Sequence, residues 1–289
     1  MKPRITSYIA TIVLGLCLVE MTLSAESIQD DSAGKAASVP PIDELLLFFP
    51  SKYPAGDWSP ADLTFEDLWC TADDGVRIHG WFCPCTDPRC TILIMHGNAG
   101  NIAFRAPMLR YFQSQLRTAV YMFDYRGYGR SVGTPSVEGI LRDARAARRC
   151  LADRTKLPES ELVLMGESLG GAIAIQLASG SPARGLVLQS TFPSLRDVAA
   201  VHYPGLSWLV SPTKLDSLAK VASYRGPLLQ SHGTADRTIP LELGTKLFKA
   251  ANTPKWFFAV EGADHNNWFT PDYQSQLDAF VARLAGERK

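Results

Sequence analysis

The chain has 289 residues, 46% of them hydrophobic and 20% charged, and its Lys plus Arg total of 29 equals its Asp plus Glu total of 29. That apolar content excludes a disordered chain, and zero net charge excludes binding nucleic acid through a global excess of cations. The length suits one α/β domain, a class that reaches about 200 to 250 residues, or two small domains.

Lys2 and Arg4 precede an apolar run from Ile5 to Val19, and Thr22, Leu23, Ser24 and Ala25 follow before the chain turns polar. A basic start, a short apolar stretch and a small residue make residues 1–25 an export signal cut after Ala25, so that the protein is periplasmic or secreted. A retained membrane anchor is the other reading, although the run falls short of the ~20 residues a span needs. Lipidation of Cys17 is disfavoured by the bulk of the preceding Leu16. Residues 26–41 are small, polar and end in Pro40 and Pro41, the composition of a tether. This leaves 42–289 for the folded domain.

ELLLFFP (44–50) is an apolar patch whose expected fate is core packing. TFEDLWCT (64–71) and VRIHGWFCP (76–84) flank an Asp74-Gly75 turn and read as a β-hairpin. From residue 91 onward, short continuously apolar runs alternate with longer amphipathic ones. The runs are TILIMH (91–96), TAVYMFDY (118–125), ELVLMG (161–166), RGLVLQS (184–190), GPLLQSH (226–232) and KWFFAVEG (255–262). Continuous apolarity suits strands covered on both faces, so the pattern predicts a mainly parallel sheet with helices on both sides and the hairpin as an antiparallel edge. In the helical stretch 137–152, Ile140, Ala144, Ala147 and Leu151 share one face, while Arg142, Arg145 and Arg149 form a solvated stripe on the other.

The pattern G-x-S-x-G occurs as GRSVG (129–133) and GESLG (166–170). A nucleophilic serine in this motif must sit on a sharp strand-to-helix turn. Ser168 follows a strand run and precedes the helix-compatible GAIAIQLAS, whereas Ser131 is followed by Thr134 and Pro135 and reads as loop. Ser168 is therefore the expected nucleophile, with Gly166 and Gly170 making room for the turn and Gly171 letting the helix approach the sheet. A serine hydroxyl needs a base, and the base needs an orienting carboxylate. His265, after the last strand run, and Asp236, after GPLLQSH, fill these roles, while Asp264 reads as a loop carboxylate. His96 and His232, each preceding a glycine, read as loop-shaping residues. Two backbone N–H groups are expected to hold a developing oxyanion: that of Leu169 and that of Asn98 in HGNAGN (96–101).

HGNAGN, DYRGYGRSVGTPS, GESLGG, HGTADRTIP and GADHNNW, in this order, resemble the α/β-hydrolase superfamily. The closest likeness is to its single-domain membrane-associated or exported serine hydrolases, which include protein depalmitoylases and lysophospholipases. LFFPSKYP and DGVRIHGWF extend the resemblance over roughly residues 45–285. It implies an α/β-hydrolase fold that cleaves acyl esters or thioesters through an acyl-serine, without metal or organic cofactor. The expected substrate is a small-molecule or lipid acyl compound, with a membrane surface as a possible partner and no nucleic acid. In this fold, residues 191–225 carry a short apolar cap over the acyl cleft, with Thr191 and Phe192 as candidate substrate-binding residues. A serine peptidase on the same fold and a non-catalytic binding protein on a hydrolase scaffold are the alternatives.

Of six cysteines, five remain once Cys17 is set aside with the leader. In an exported protein Cys85 and Cys90 are placed to close a disulfide around Thr86–Arg89. A zinc site in CPCTDPRC is the rival reading, but it has no nearby histidine and no common ligand spacing.

Overall fold

The apolar runs become strands and the amphipathic stretches helices in the computed structural model, which describes residues 47–286 of the chain. The leader and the tether lie outside the described residues. In chain order the strands are β1 (Phe49–Pro50), β2 (Glu66–Thr71), β3 (Arg77–Cys83), β4 (Thr91–Met95), β5 (Ala99–Gly100), β6 (Ala119–Phe123), β7 (Leu162–Glu167), β8 (Gly185–Gln189), β9 (Leu228–Gly233) and β10 (Lys255–Val260). The helices are α1 (Ala106–Ser114), α2 (Val137–Thr155), α3 (Leu169–Gly180), α4 (Leu195–His202), α5 (Ser217–Val221), α6 (Leu241–Ala250) and α7 (Pro271–Gly286).

One 8-stranded sheet runs in the order β10-β9-β8-β7-β4-β6-β3-β2. The pairings from β10 through to β6 are parallel, and β3 joins β6 and β2 antiparallel. The hairpin is thus an antiparallel edge, closed by a turn in which Gly75 adopts φ +84°. Because side chains alternate across a strand, Leu93 and Met95 enter one core layer while Ile92 and Ile94 enter the other. The first layer packs under α2 and α3, the second under α1 and α7.

Helix α2 follows the expected face: Ile140, Ala144, Ala147 and Leu151 are fully buried, and Arg145 and Arg149 are exposed. Ser136 caps its start by accepting from Gly139 N (3.1 Å), and Lys156 ends it in a left-handed conformation at φ +58°. Two polar residues of α2 are buried instead of solvated. Arg148 donates to the carbonyls of Leu177, Ser181 and Pro182, satisfying the carboxyl end of α3 and the chain just past it. Asp143 receives the Arg126 guanidinium at 2.8 and 3.0 Å and the Arg126 backbone N–H at 2.8 Å.

The cysteines pair differently from the expectation. The disulfide joins Cys70 on β2 to Cys150 on α2, across a Cα separation of 6.1 Å, tying the edge hairpin to the helix that covers it. Cys85 instead donates its thiol to the Thr86 carbonyl, and Cys90 is buried in the core. Loop spacing favoured the near pair, but bridging depends on which Cβ atoms the tertiary fold brings together.

Candidate active site

Parallel strands deliver their following loops to one edge of the sheet, and β4, β7, β9 and β10 each place one expected site residue there. Ser168 sits between β7 and α3 with φ +54° and ψ −116°, a conformation that a residue with a side chain rarely adopts. Several bonds hold it there. Its N–H donates to Gln189 O (2.8 Å), and its carbonyl accepts from Gly171 N (3.0 Å) and from the Thr191 hydroxyl (2.8 Å). The small residues are required sterically. A Cβ on Gly166 would lie 2.1 Å from the Gly170 carbonyl oxygen, and one on Gly170 would lie 2.0 Å from the Met95 carbonyl oxygen. The same contact presses the start of α3 against the end of β4, next to the loop that contains Asn98. Ser131, in the other motif, is a buried structural residue that donates to Asp124 O (2.7 Å) and accepts from His79 N (2.8 Å).

His265 Nδ1 lies 2.8 Å from Asp236 Oδ2. Asp236 Oδ1 accepts from Thr238 N (2.9 Å) and Ile239 N (2.8 Å), which fixes the carboxylate plane. Burial alone would raise the pKa of this acid. Hydrogen bonds from His232 and His265, the His265 charge and the Ile239 N–H overcome that and hold it well below the usual carboxylate range. Asp236 therefore faces the Nδ1 edge of the His265 imidazole as a carboxylate. Ser168, Asp236 and His265 are all buried but retain slight exposure, at 8%, 5% and 9%. Asp264 accepts from the N–H groups of His265 (2.8 Å) and Arg237 (3.2 Å), so it joins the acid loop to the base loop without touching the imidazole.

The Asn98 loop is braced from several sides. Its carbonyl accepts from Phe49 N (3.0 Å) and Tyr128 Oη (2.7 Å), and its side chain donates to Leu47 O (2.9 Å). Thus only part of the apolar patch before Pro50 is core: Phe48 is buried, whereas Phe49 is exposed and β1 straps the loop by pairing with β5. His96, directly before the loop, is buried with Nδ1 on Gly97 O (2.7 Å) and Nε2 3.4 Å from Asp124.

Thr191 and Phe192 do not line an open cleft. Ser190 leaves β8 at φ +45°, Thr191 turns back onto the Ser168 carbonyl, and Phe192 enters the core. Thr191 therefore positions the serine turn, a role with no motif to reveal it. His232 is a second residue whose role here was not apparent from sequence: its Nε2 bonds Ile239 O (2.7 Å) and lies 3.4 Å from Asp236 Oδ2, the same oxygen that faces His265. The HG pair in HGTAD was the available signal. Surface grooves of about 650 and 320 Å³ lie beside α6 and between α2 and residues 211–215, and Ser168, Asp236 and His265 line neither.

A strained serine between a central parallel strand and its helix, followed along the same sheet edge by an acid–histidine pair, is the nucleophile-elbow arrangement of a doubly wound hydrolase. Residues 86–215 match the family described as serine aminopeptidase, S33 (Hydrolase_4). Over 240 residues the chain is 37% identical to an uncharacterised protein of Mycobacterium tuberculosis (strain ATCC 25618 / H37Rv), covering 81% of this chain and 84% of that one. Over 199 residues it is 38% identical to the α/β hydrolase domain-containing protein WAV2 of Arabidopsis thaliana, covering 62% of this chain and 64% of that one. The solved esterase Pf2001 of Pyrococcus furiosus has the same fold, with a TM-score of 0.68 at 22% identity over 82% of this chain and 100% of that one. The chain belongs to the α/β-hydrolase superfamily.

Proposed function

We propose that the protein is a serine hydrolase of acyl esters or thioesters that works through an acyl-serine. The observation that carries this reading is the 2.8 Å contact of His265 Nδ1 with an ionised Asp236, on the sheet edge that also holds the strained Ser168. In the reaction, His265 Nε2 takes the Ser168 hydroxyl proton as Oγ attacks the acyl carbonyl. The N–H groups of Leu169 and Asn98 hold the oxyanion, each donor contributing roughly a hundredfold to a thousandfold in rate. Collapse expels the alcohol or thiol with the proton returned by His265, and water, deprotonated by the same base, releases the acid and restores Ser168.

A peptidase reading draws support from the family description at residues 86–215. The same triad chemistry cleaves amides, and the cap shows no cluster of carboxylates that would receive a free amino terminus. The cap's acidic residues Asp197 and Asp216 are already used, by Lys246 and Ser194 and by the start of α5. A fluorophosphonate probe is expected to label the wild type but not Ser168→Ala, and purified protein should turn over lipid esters or acyl thioesters faster than aminopeptidase substrates. Absence of labelling would leave a binding protein on a hydrolase scaffold, and faster cleavage of aminoacyl amides would make it a peptidase.

A further inference from the structure

The exposed large hydrophobic side chains among the described residues are concentrated on one edge of the sheet. The cap contributes a run in which Trp208 is 70%, Leu209 59% and Leu206 55% exposed, accompanied by Val201 and Tyr203. Phe49, Tyr53 and Phe104 are exposed on segments bonded to or following the Asn98 loop, and Val132 follows β6 at the same edge. Trp69, on the edge hairpin, is the exception, and the Arg77 guanidinium covers its ring at 4.8 Å. The short segments that lead directly into β7 (155–161), β9 (222–227) and β10 (251–254) carry none of these side chains. A concentration of exposed apolar side chains at one edge is the mark of an interaction surface.

We propose that this edge, the one that carries the candidate active site, docks on the surface of a lipid bilayer. The occupant is argued from the rest of the chain. In the retained-anchor reading of the leader, the same polypeptide carries the apolar run Ile5 to Val19, a lipid-seeking sequence. Residues 20–48 reach at most about 100 Å, and the described chain enters at this edge, where the Leu47 carbonyl accepts from Asn98. The residue types also fit an interface: Trp and Tyr rings favour headgroup depth, and Trp208 Nε1 already donates to Gly205 O (3.1 Å), so the indole carries no unmet donor into the apolar layer. Of the cap's cations, Arg196 donates to the carbonyls of Val210 and Trp208, and the docking rests on the apolar side chains. The consequence that acyl groups enter from the lipid side rests on the acyl-hydrolase reading; the docking itself does not.

The test is amide hydrogen exchange of the full chain with and without phosphatidylcholine vesicles. Exchange should slow several-fold at 201–209 and around Phe49 and Phe104, with no change at 155–161 and 222–227. The double substitution Trp208→Ser with Leu209→Ser should weaken that vesicle-induced slowing about tenfold or more, with melting temperature unchanged. Phe104→Ser, on a separate segment, gives an independent second variant should the first misfold. Slowing confined to residues 1–41, equal slowing at both edges, or slowing indifferent to these substitutions overturns the proposal. Slowing reproduced without lipid by raising protein concentration overturns it in favour of a second copy. Loss of Ser168 labelling in the wild type, with lipid protection intact, would instead refute the hydrolase reading alone.

Discussion

Asp236→Asn tests the site most sharply, because the surrounding donors dictate how the new amide must lie. Asp236 Oδ1 faces two backbone N–H groups, of Thr238 at 2.9 Å and Ile239 at 2.8 Å, while Oδ2 faces His265 Nδ1 at 2.8 Å. Placing the amide nitrogen on the Oδ1 side would set it against both backbone donors. Each unsatisfied buried group costs about 1 to 3 kcal/mol, hence roughly 2 to 6 kcal/mol together. Placing it on the Oδ2 side opposes only the longer 3.4 Å approach of His232 and lets the imidazole respond by moving its proton. The asparagine oxygen therefore faces Thr238 and Ile239, its NH₂ faces His265, and Nδ1 must accept. The imidazole proton then resides on Nε2, where the base is needed. A wrong-tautomer site of this kind loses about 10⁴-fold in turnover with little change in substrate binding. Hydrolysis of p-nitrophenyl butyrate by wild type and variant measures kcat and KM, and thermal melting verifies the fold. Activity within tenfold of wild type, in a folded variant, would refute the assignment of Asp236 as the orienting acid.

Asp143→Ala removes the main partner of the buried Arg126 and leaves it only Asp74, at 2.8 Å and half-way to solvent; urea denaturation should show a loss of about 3 to 5 kcal/mol, and a loss under 1 kcal/mol would show the network to be replaceable by water. Reducing the Cys70–Cys150 bridge, whose sequence separation is 80, should cost about 4 to 5 kcal/mol by chain entropy, read as a melting temperature lower by roughly 8 to 20 °C; an unchanged melting curve in reductant would disprove the bond's contribution. Burial depresses the His79 pKa despite the Asp67 contact at 2.7 Å. The unfolded chain therefore takes up a proton near pH 6.5 that the folded chain does not, and stability is full above that pH and falls below it. Denaturation midpoints at pH 7.5 and 5.5 should differ less in His79→Gln, and an equal difference would assign the acid sensitivity elsewhere.

Periodicity made most of the fold legible. The apolar runs from TILIM to KWFFAV could satisfy their backbone only in a sheet covered on both faces, and the face of 137–152 carrying Ile140 and Leu151 could pack nowhere but on it. Local chemistry also singled out Ser168, since only one of the two G-x-S-x-G segments stands between a strand and a helix. The order of Ser168, Asp236 and His265 and their place after strand ends were thus written in the chain itself. Tertiary structure decided what depends on distant segments meeting. It paired Cys70 with Cys150 across α2 instead of Cys85 with Cys90, because bridging follows Cβ proximity and not loop length. It made Thr191 a strut for the serine turn, drew His232 to the acid, and used the strand at Phe49 to brace Asn98. Periodicity and spacing report only on neighbours along the chain, while hydrogen bonds of 2.7 to 3.0 Å across the sheet edge are set by how that edge closes in three dimensions.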